Sequence, residues 1–439
     1  MIKRIIVGES GGPTPVIDWE ISGVMDAAQK AGVEIYGMIN GLEGLLNADI
    51  EGNIVDLTHL DHMAFAFNGP GAGLRTTRIK PDEEQYRHIA RNLEALGIDG
   101  VVYIGGNDSA AQLLGLTALA DVAAVHAIKT VDNDLPVTHH SPGYGSAALY
   151  NATALKNVYN DFSSYRVWGH FRRSGEVIKS LSTAPVVIYQ VMGRKAGWLA
   201  QSTAFAKVDP KGDIVDEYAP HIVLSKEVLF DPDEFLDALS RVITRLGEAV
   251  VVVQEDLTDK ATGEALAKIH AREVVTDAHG NIQHGRAGSF VPSIFLAQLI
   301  KRNLRVEAVS GEIKEAALAP QHIQRSYVMS RQDASEAYMV GFSAVEALLS
   351  GENLKSVILQ RGDCRTSTGL TDLENIAAKD RSVPLEYING LYGPTQEFID
   401  EFIYLIGGPV GIPHYSSHSF CPVPVPSEIG SRPYVREGR

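Results

Sequence analysis

The sequence predicts an α/β protein of two three-layer domains, with mostly parallel sheets and an active site in the cleft between them. Three features carry that reading. Short, largely apolar runs recur at 5–7, 101–104 and 122–128, as strands buried on both faces do. Glycine-rich turns stand at 8–14, 68–73 and 105–109, and stretches with helical spacing follow them. Strand, loop and helix in repetition mark Rossmann-like units, in which helices cover both faces of a parallel sheet. At 439 residues the chain is long enough for two cores.

The first strand leads through Gly8-Glu9-Ser10-Gly11-Gly12-Pro13-Thr14 into a helix over about 16–31. The strand 33–38 follows, and later the turn Asn68-Gly69-Pro70-Gly71-Ala72-Gly73, just before Arg75 and Arg78. A helix over about 82–96 precedes the strand 100–104, which ends in Gly105-Gly106-Asn107-Asp108-Ser109 and another helix. The strand 122–128 ends in Lys129-Thr130-Val131-Asp132-Asn133-Asp134. A helix over about 146–161 then crosses into a second unit. Its strands are expected near 186–191, 221–224 and 249–254, and its helices near 196–206, 231–247 and 290–303. Residues 256–289 form a polar excursion and 333–350 an amphipathic helix. The first domain should span 1–145, with about 326–407 returning to it, and the second 146–325. The Pro/Gly/Ser-rich stretch 408–439 should be an extended tail.

The charge balance, 39 basic against 54 acidic residues, gives −15 and argues against nucleic acid as the partner. A local cluster of Arg and Lys can still hold a small anion. The two cysteines, Cys364 and Cys421, make neither a disulfide scaffold nor a metal spacing. No apolar run approaches a membrane span, and the N-terminus enters a strand without a signal-like segment. A cytoplasmic protein with no membrane partner is expected.

A glycine pair at a strand end, such as Gly11-Gly12 or Gly105-Gly106, lets backbone N–H groups approach an anion at a helix N-terminus. An ordinary tight turn uses the same residues. Three such loops at successive strand ends favour a phosphate site. Asp132 and Asp134 then fit two tasks: one carboxylate holds Mg²⁺, a hard cation that prefers oxygen, and the other takes a proton from an attacking hydroxyl. An Asx-turn closing the loop is the competing reading. No G-x-G-x-x-G opens the first helix, which argues against a dehydrogenase.

Gly105-Gly106-Asn107-Asp108-Ser109, Lys129 to Asp134, Met192-Gly193-Arg194 with Gly197-Trp198, and Gln324-Arg325 occur in that order. Together they resemble the phosphofructokinases of the bacterial ATP/pyrophosphate type, over roughly 1–350. Residues 132–136 and 142–146 are most similar to the pyrophosphate-dependent branch. The resemblance implies Asp132 as general base, Asp134 as its acidic neighbour near the metal, and Thr130 as a contact of the transferred phosphoryl group and the sugar. It implies Gly11, Gly12, Arg78, Gly106, Asn107, Asp108 and Ser109 on the donor side. Met192, Gly193 and Glu227 match sugar-binding positions, with Arg194 also near the transferred group. His322 and Arg325 match residues that hold the sugar's far phosphate. Mg²⁺ is the implied cofactor, with Asn107, Asp108 and Asp134 as its candidate ligands, and a homodimer or homotetramer the implied assembly.

Donor choice has a physical basis. The positions of Asp108 and Lys129 are glycine in the ATP-using branch. A carboxylate at 108 fills the nucleotide's space and repels its phosphates, while a lysine at 129 is a point cation suited to compact pyrophosphate. Four positions depart from the family pattern. Asn107 replaces a metal-supporting aspartate. Pro185 and Ala316 replace two arginines that clamp the sugar phosphate across subunits. Asp18 stands where asparagine is common. Lys314 and the basic segment 165–173 are candidate substitutes for the arginines, although 165–173 reads equally as a solvated loop. The expected function is pyrophosphate-dependent phosphorylation of a sugar phosphate, with fructose 6-phosphate going to fructose 1,6-bisphosphate as the first choice. A same-fold kinase for another sugar, sugar phosphate or polyol is the alternative, and a catalytically weak regulatory or assembly subunit a further one.

Overall fold

In the computed structural model the early apolar runs become adjacent strands. The structure describes residues 2–69, 71–164, 166–173, 176–182, 185–270, 291–303, 315–318, 322–325, 328–362, 365–412 and 435–436, with 166–173, 176–182, 315–318 and 435–436 as backbone course alone. Arg4–Glu9 lies between Gly100–Gly105 and Glu34–Met38, and Ala123–Ile128 lies beyond Gly100–Gly105, all parallel. Lys355–Arg361 adds a parallel strand beside Ala123–Ile128. Thr366–Asp372 and Ile54–Asp56 close the two edges by antiparallel pairing. The central strands are buried almost throughout, so they can be continuously apolar.

Helices Val16–Ala31 and Arg331–Leu349 pack on this sheet at backbone contact. A Cβ on Gly23 would overlap the Tyr338 carbonyl, and one on Gly341 would overlap the Glu20 carbonyl. Glycine at both crossing points lets the helices approach that closely.

The second sheet is parallel, in the order Glu315–Leu318, Val186–Val191, Ala249–Gln254, Ile222–Leu224. The helix Tyr144–Ser164 leads into it, and Pro232–Leu246 packs against it. The latter starts at Asp231, whose carboxylate accepts from the N–H groups of Asp233 and Glu234, and stops at Gly247 with φ 77°. Both signals are explicit in the sequence.

Several elements differ from expectation. The helix near 196–206 is a short α-helix, Trp198–Ser202, continued by the 3₁₀ turn Thr203–Lys207. Of the basic segment 165–173, Arg166–Arg173 is a strand antiparallel to Glu176–Ser182. Its Val, Trp and Phe content favours that state over a solvated loop. Of the tail, Val435–Arg436 pairs in parallel with Arg166–Arg173; 413–434 and 437–439 lie outside the described residues, as do 271–290, Lys314, Cys364 and Cys421. Among the described residues, no helix is long and apolar enough to cross a membrane.

The returning C-terminal stretch divides. Its two strands join the first sheet, but the helix Gln396–Phe402 packs on the second unit. Phe398 and Phe402 stand 6.2 and 5.4 Å from the Trp198 ring. Between them residues 376–395 form a strap across both units. Arg381 anchors it, donating to the carbonyls of Thr138 (2.5 Å), Asn133 (3.2 Å) and His139 (3.1 Å), with its guanidinium 4.6 Å from the Trp198 ring centroid. Burial lowers its pKa to about 10. Arg381→Ala should cost about 2–4 kcal/mol in chemical unfolding, and Arg381→Lys should recover less than half, because one ammonium cannot reproduce the planar fork. Full recovery by lysine would refute this account of the anchor.

Candidate active site

Three neighbouring strands end at one place. Glu9, Gly105 and Ile128 close parallel strands that lie side by side. The loops that follow therefore meet at the carboxyl edge of the sheet, where open α/β sheets bind ligands. Ser10 N–H donates to Ile104 O and Lys129 N–H to Gly105 O, which ties the loops together. The hydroxyls of Ser10 and Ser109 touch. Lys129 is buried, and its Nζ donates to the carbonyls of Ser10 and Gly12, both at 2.9 Å. Burial pushes its pKa down to about 8, against the pull of buried Glu9 and Glu20.

The glycine loops are used unequally. Gly11 has φ +87°, and its N–H goes to Thr77 O at 3.1 Å, while Thr76 Oγ1 donates to Gly11 O at 2.7 Å. The Gly11 amide is thus held by protein. Gly12 faces Arg325: a Cβ there would overlap that guanidinium. Gly106 precedes the helix Asn107–Thr117, with Asp108 exposed on its first turn. Asp18 accepts from Gly71 N–H at 2.7 Å and Gly73 N–H at 2.6 Å, fastening the third loop. A carboxylate accepts both bonds, which an amide's single oxygen cannot do as well. That accounts for aspartate at this position.

In the loop 129–134, closure falls to Asn133. It has φ 53°, and its Oδ1 accepts from Ser141 N–H at 3.0 Å. The two aspartates are spared that structural task. Asp132 is part-buried, and its Oδ1 is enclosed with no hydrogen-bond partner. Burial raises its pKa, opposed by Arg194, Arg325, Arg78 and Lys195. Asp134 is buried and pushed up to about 7, by burial first and then by Asp132 and Asp380. Thr130 Oγ1 accepts from Asp132 N–H at 3.2 Å and lies 3.4 Å from Asp134 Oδ1.

The second unit supplies the facing wall. The turn after Val186–Val191 is clamped from several sides. Met192 N–H donates to Gln324 Oε1 at 2.9 Å, and Gly193, with φ +115°, donates to Glu255 Oε1 at 3.1 Å. Gln254 Nε2 donates to Gly193 O at 2.7 Å, and Lys226 Nζ to Arg194 O at 3.0 Å. Glu227 Oε1 accepts from Gly197 and Val383, while its Oε2 is enclosed and unpartnered. Arg325 donates to His322 Nδ1 at 2.8 Å; His322 itself is exposed.

Four groups at the site were not singled out from the sequence. Glu255 follows the strand Ala249–Gln254, a strand-end position that was legible, and is pushed up to about 7 by burial and Asp132. Lys195 follows Arg194. Asp380 and Arg381 come from the strap and carry no local signal. Asp380 Oδ1 accepts from Asn107 Nδ2 at 2.5 Å and from Lys195 Nζ at 2.8 Å. Asn107 Oδ1 accepts from Asp108 N–H at 2.8 Å, so this amide is already engaged at both ends. Among the described residues, no group of three or more His, Cys, Asp or Glu is placed to hold a metal alone. A donor set of Asp134 with substrate oxygens and water still fits Mg²⁺, which takes few protein carboxylates.

The family model of phosphofructokinase matches residues 4–169 and 177–348. The chain belongs to the phosphofructokinase family. It is 31% identical over 416 residues to the pyrophosphate–fructose 6-phosphate 1-phosphotransferase of Rhodospirillum rubrum, covering 92% of this chain and 94% of that protein. The Xanthomonas campestris protein of the same name is 29% identical over 439 residues, with 94% and 96% covered. The crystal structure of pyrophosphate-dependent phosphofructokinase from Marinobacter aquaeolei superposes with a TM-score of 0.73 at 25% identity, over 95% of this chain and 94% of that one. The α/β fold with mostly parallel sheets is thus that of phosphofructokinases, and the chain is a phosphotransferase of that type. The strap with Asp380 lies beyond the residues the family model matches. Pro185 stands at the start of Val186–Val191 and Ala316 pairs with Val187. Both therefore lie a strand's length, about 20 Å, from the turn at Met192.

Proposed function

We propose that this phosphofructokinase transfers a phosphoryl group from pyrophosphate to the 1-hydroxyl of fructose 6-phosphate. The observation that carries the reading is the Asp132 carboxylate, one oxygen enclosed and unpartnered, within the field of Arg78, Arg194, Arg325 and Lys195. Asp132 takes the hydroxyl proton as the sugar oxygen bonds to phosphorus. The bridging P–O bond breaks, and inorganic phosphate leaves. The cationic side chains offset charge on the transferring group. Mg²⁺, held through Asp134 and the donor's oxygens, would neutralise the pyrophosphate.

Donor preference rests on Lys129, whose ammonium sits at the Ser10–Gly12 loop, and on Asp108 at the start of the next helix. Pyrophosphate should exceed ATP by at least about a hundredfold in kcat/KM, the scale of one or two charge-assisted contacts. Faster turnover with ATP would overturn the donor reading. A second reading, an acceptor other than fructose 6-phosphate, is favoured by Pro185 and Ala316 at the positions of the clamping arginines. The same assay with a panel of sugars, sugar phosphates and polyols decides it: fructose 6-phosphate should give the highest kcat/KM.

A further inference from the structure

We propose that Lys195 is a further pyrophosphate-binding residue, and that Asp380 positions it by bridging it to Asn107 across the cleft. The proposal rests on the function given above. One carboxylate oxygen, Asp380 Oδ1, receives two donors from different units. Asn107 Nδ2 reaches it from the head of a helix on the first sheet, at 2.5 Å. Lys195 Nζ reaches it from the turn after Val186–Val191, at 2.8 Å. Asp380 itself rides on the strap, which is held to both units. Ala378 N–H donates to Asn107 O at 3.2 Å, Arg381 N–H to Asp134 O at 2.7 Å, and Val383 N–H to Glu227 Oε1 at 3.0 Å.

Lys195 is close enough to the reacting centre to act electrostatically on Asp132 and Asp134. Its side chain is 36% exposed, so it meets solvent at the mouth of the site. An ammonium has three donors, and the bond to Asp380 uses one. The other two are left for donor oxygens. Without Asp380, a four-carbon stem would sample many rotamers, and holding it in one would cost affinity.

The bridge also gives Asn107 a reason. A carboxylate at 107 would face Asp380 at hydrogen-bond distance and repel it, whereas the amide donates. The sequence departure at 107 and the carboxylate at 380 are thus two halves of one arrangement. The negative charge lies on the strap, where it can also reach Lys195.

The test uses the full chain and measures pyrophosphate binding by calorimetry alongside steady-state KM values. Lys195→Met should weaken pyrophosphate binding and raise its KM by about tenfold to a hundredfold, the loss of one charge-assisted contact. The sugar-phosphate KM should stay within about twofold, and Lys195→Arg should restore most of the affinity. Asp380→Asn should weaken pyrophosphate about fivefold to tenfold, less than Lys195→Met, because the cation remains but is no longer held. Asn107→Asp should be damaging alone, and adding Asp380→Asn should relieve it. Unfolding midpoints of each variant separate lost folding from lost binding, and Asp380→Glu offers a variant that keeps the charge. Unchanged pyrophosphate affinity in Lys195→Met overturns the proposal. Loss in Lys195→Met with none in folded Asp380→Asn overturns the positioning role. If wild type binds no pyrophosphate, the function above fails as well. If wild type turns over pyrophosphate and the variants bind it as tightly as wild type, this inference alone falls.

Discussion

Asp132→Asn lowers kcat by about a hundredfold to ten-thousandfold, the range that one positioned general base supplies. The amide is nearly isosteric and cannot take the sugar proton. The KM for pyrophosphate should change little, because the donor contacts named above come from other residues. Stability should be unchanged or higher. Burial raises the Asp132 pKa, so its ionised form is disfavoured in the folded chain, and a neutral amide removes that cost. The pH–rate profile carries a second signature. Asp132 and Asp134 are neighbours whose titrations are shared, and burial lifts both. The acid limb of kcat/KM for the free enzyme should therefore lie above the ordinary aspartate range. The limb should change shape in Asp132→Asn. Rapid-quench or steady-state rates across pH 5–9 check both points. A wild-type rate in the variant would remove Asp132 from the chemistry.

Lys129→Met should be the most damaging single change for the donor side. It removes the ammonium that joins Ser10 O to Gly12 O, and with it a charge that acts on both Glu9 and Glu20. The KM for pyrophosphate should rise about tenfold to a hundredfold, as for loss of a charge-assisted contact. Stability should fall by about 1–3 kcal/mol at neutral pH, the cost of leaving the carbonyls of Ser10 and Gly12 without their donor. The sign with pH follows from the carboxyls. Burial raises the pKa of Glu9 and Glu20 in the folded chain above the unfolded value. The folded chain then holds protons that the unfolded chain has released, so stability falls as pH rises above the ordinary glutamate range. Without Lys129 the two carboxyls are harder still to ionise, and the decline steepens. Urea unfolding at pH 5 and pH 8 measures it: the loss should be larger at pH 8. An equal loss at both would mean that the lysine and the carboxyls are not linked.

Much of this molecule is a matter of local sequence. The runs at 5–7, 100–104 and 122–128 are apolar without alternation, and such runs are stable only between two covered faces. The parallel sheet follows from that. Asp231, Pro232 and Gly247 mark the ends of one helix by capping chemistry alone. Lys129, Asp132 and Asp134 were legible because a strand end delivers its loop to the carboxyl edge whatever the rest of the chain does. Other strands were less visible: Lys355–Arg361 and Thr366–Asp372 lie at and near a sheet edge, where polar residues are tolerated and the apolar signal weakens.

Tertiary structure decided which of the candidate groups are available. Gly11 has the composition of an anion loop, yet its N–H is taken by Thr77, 66 residues on by subtraction of the residue numbers. Asn107 looked like a weakened metal ligand and proved to be a donor to Asp380, 273 residues away. Arg325 lies against Gly12 of the first loop. Such pairings depend on how the strap and the two sheets come together. A single sequence carries propensity and period, and neither specifies which distant carboxylate will meet which amide. The sequence by itself determined the family and where the candidate residues stand, at strand ends. The fold decided that a carboxylate from beyond residue 348 completes the wall of the site, because only three-dimensional packing brings Asp380 between Asn107 and Lys195.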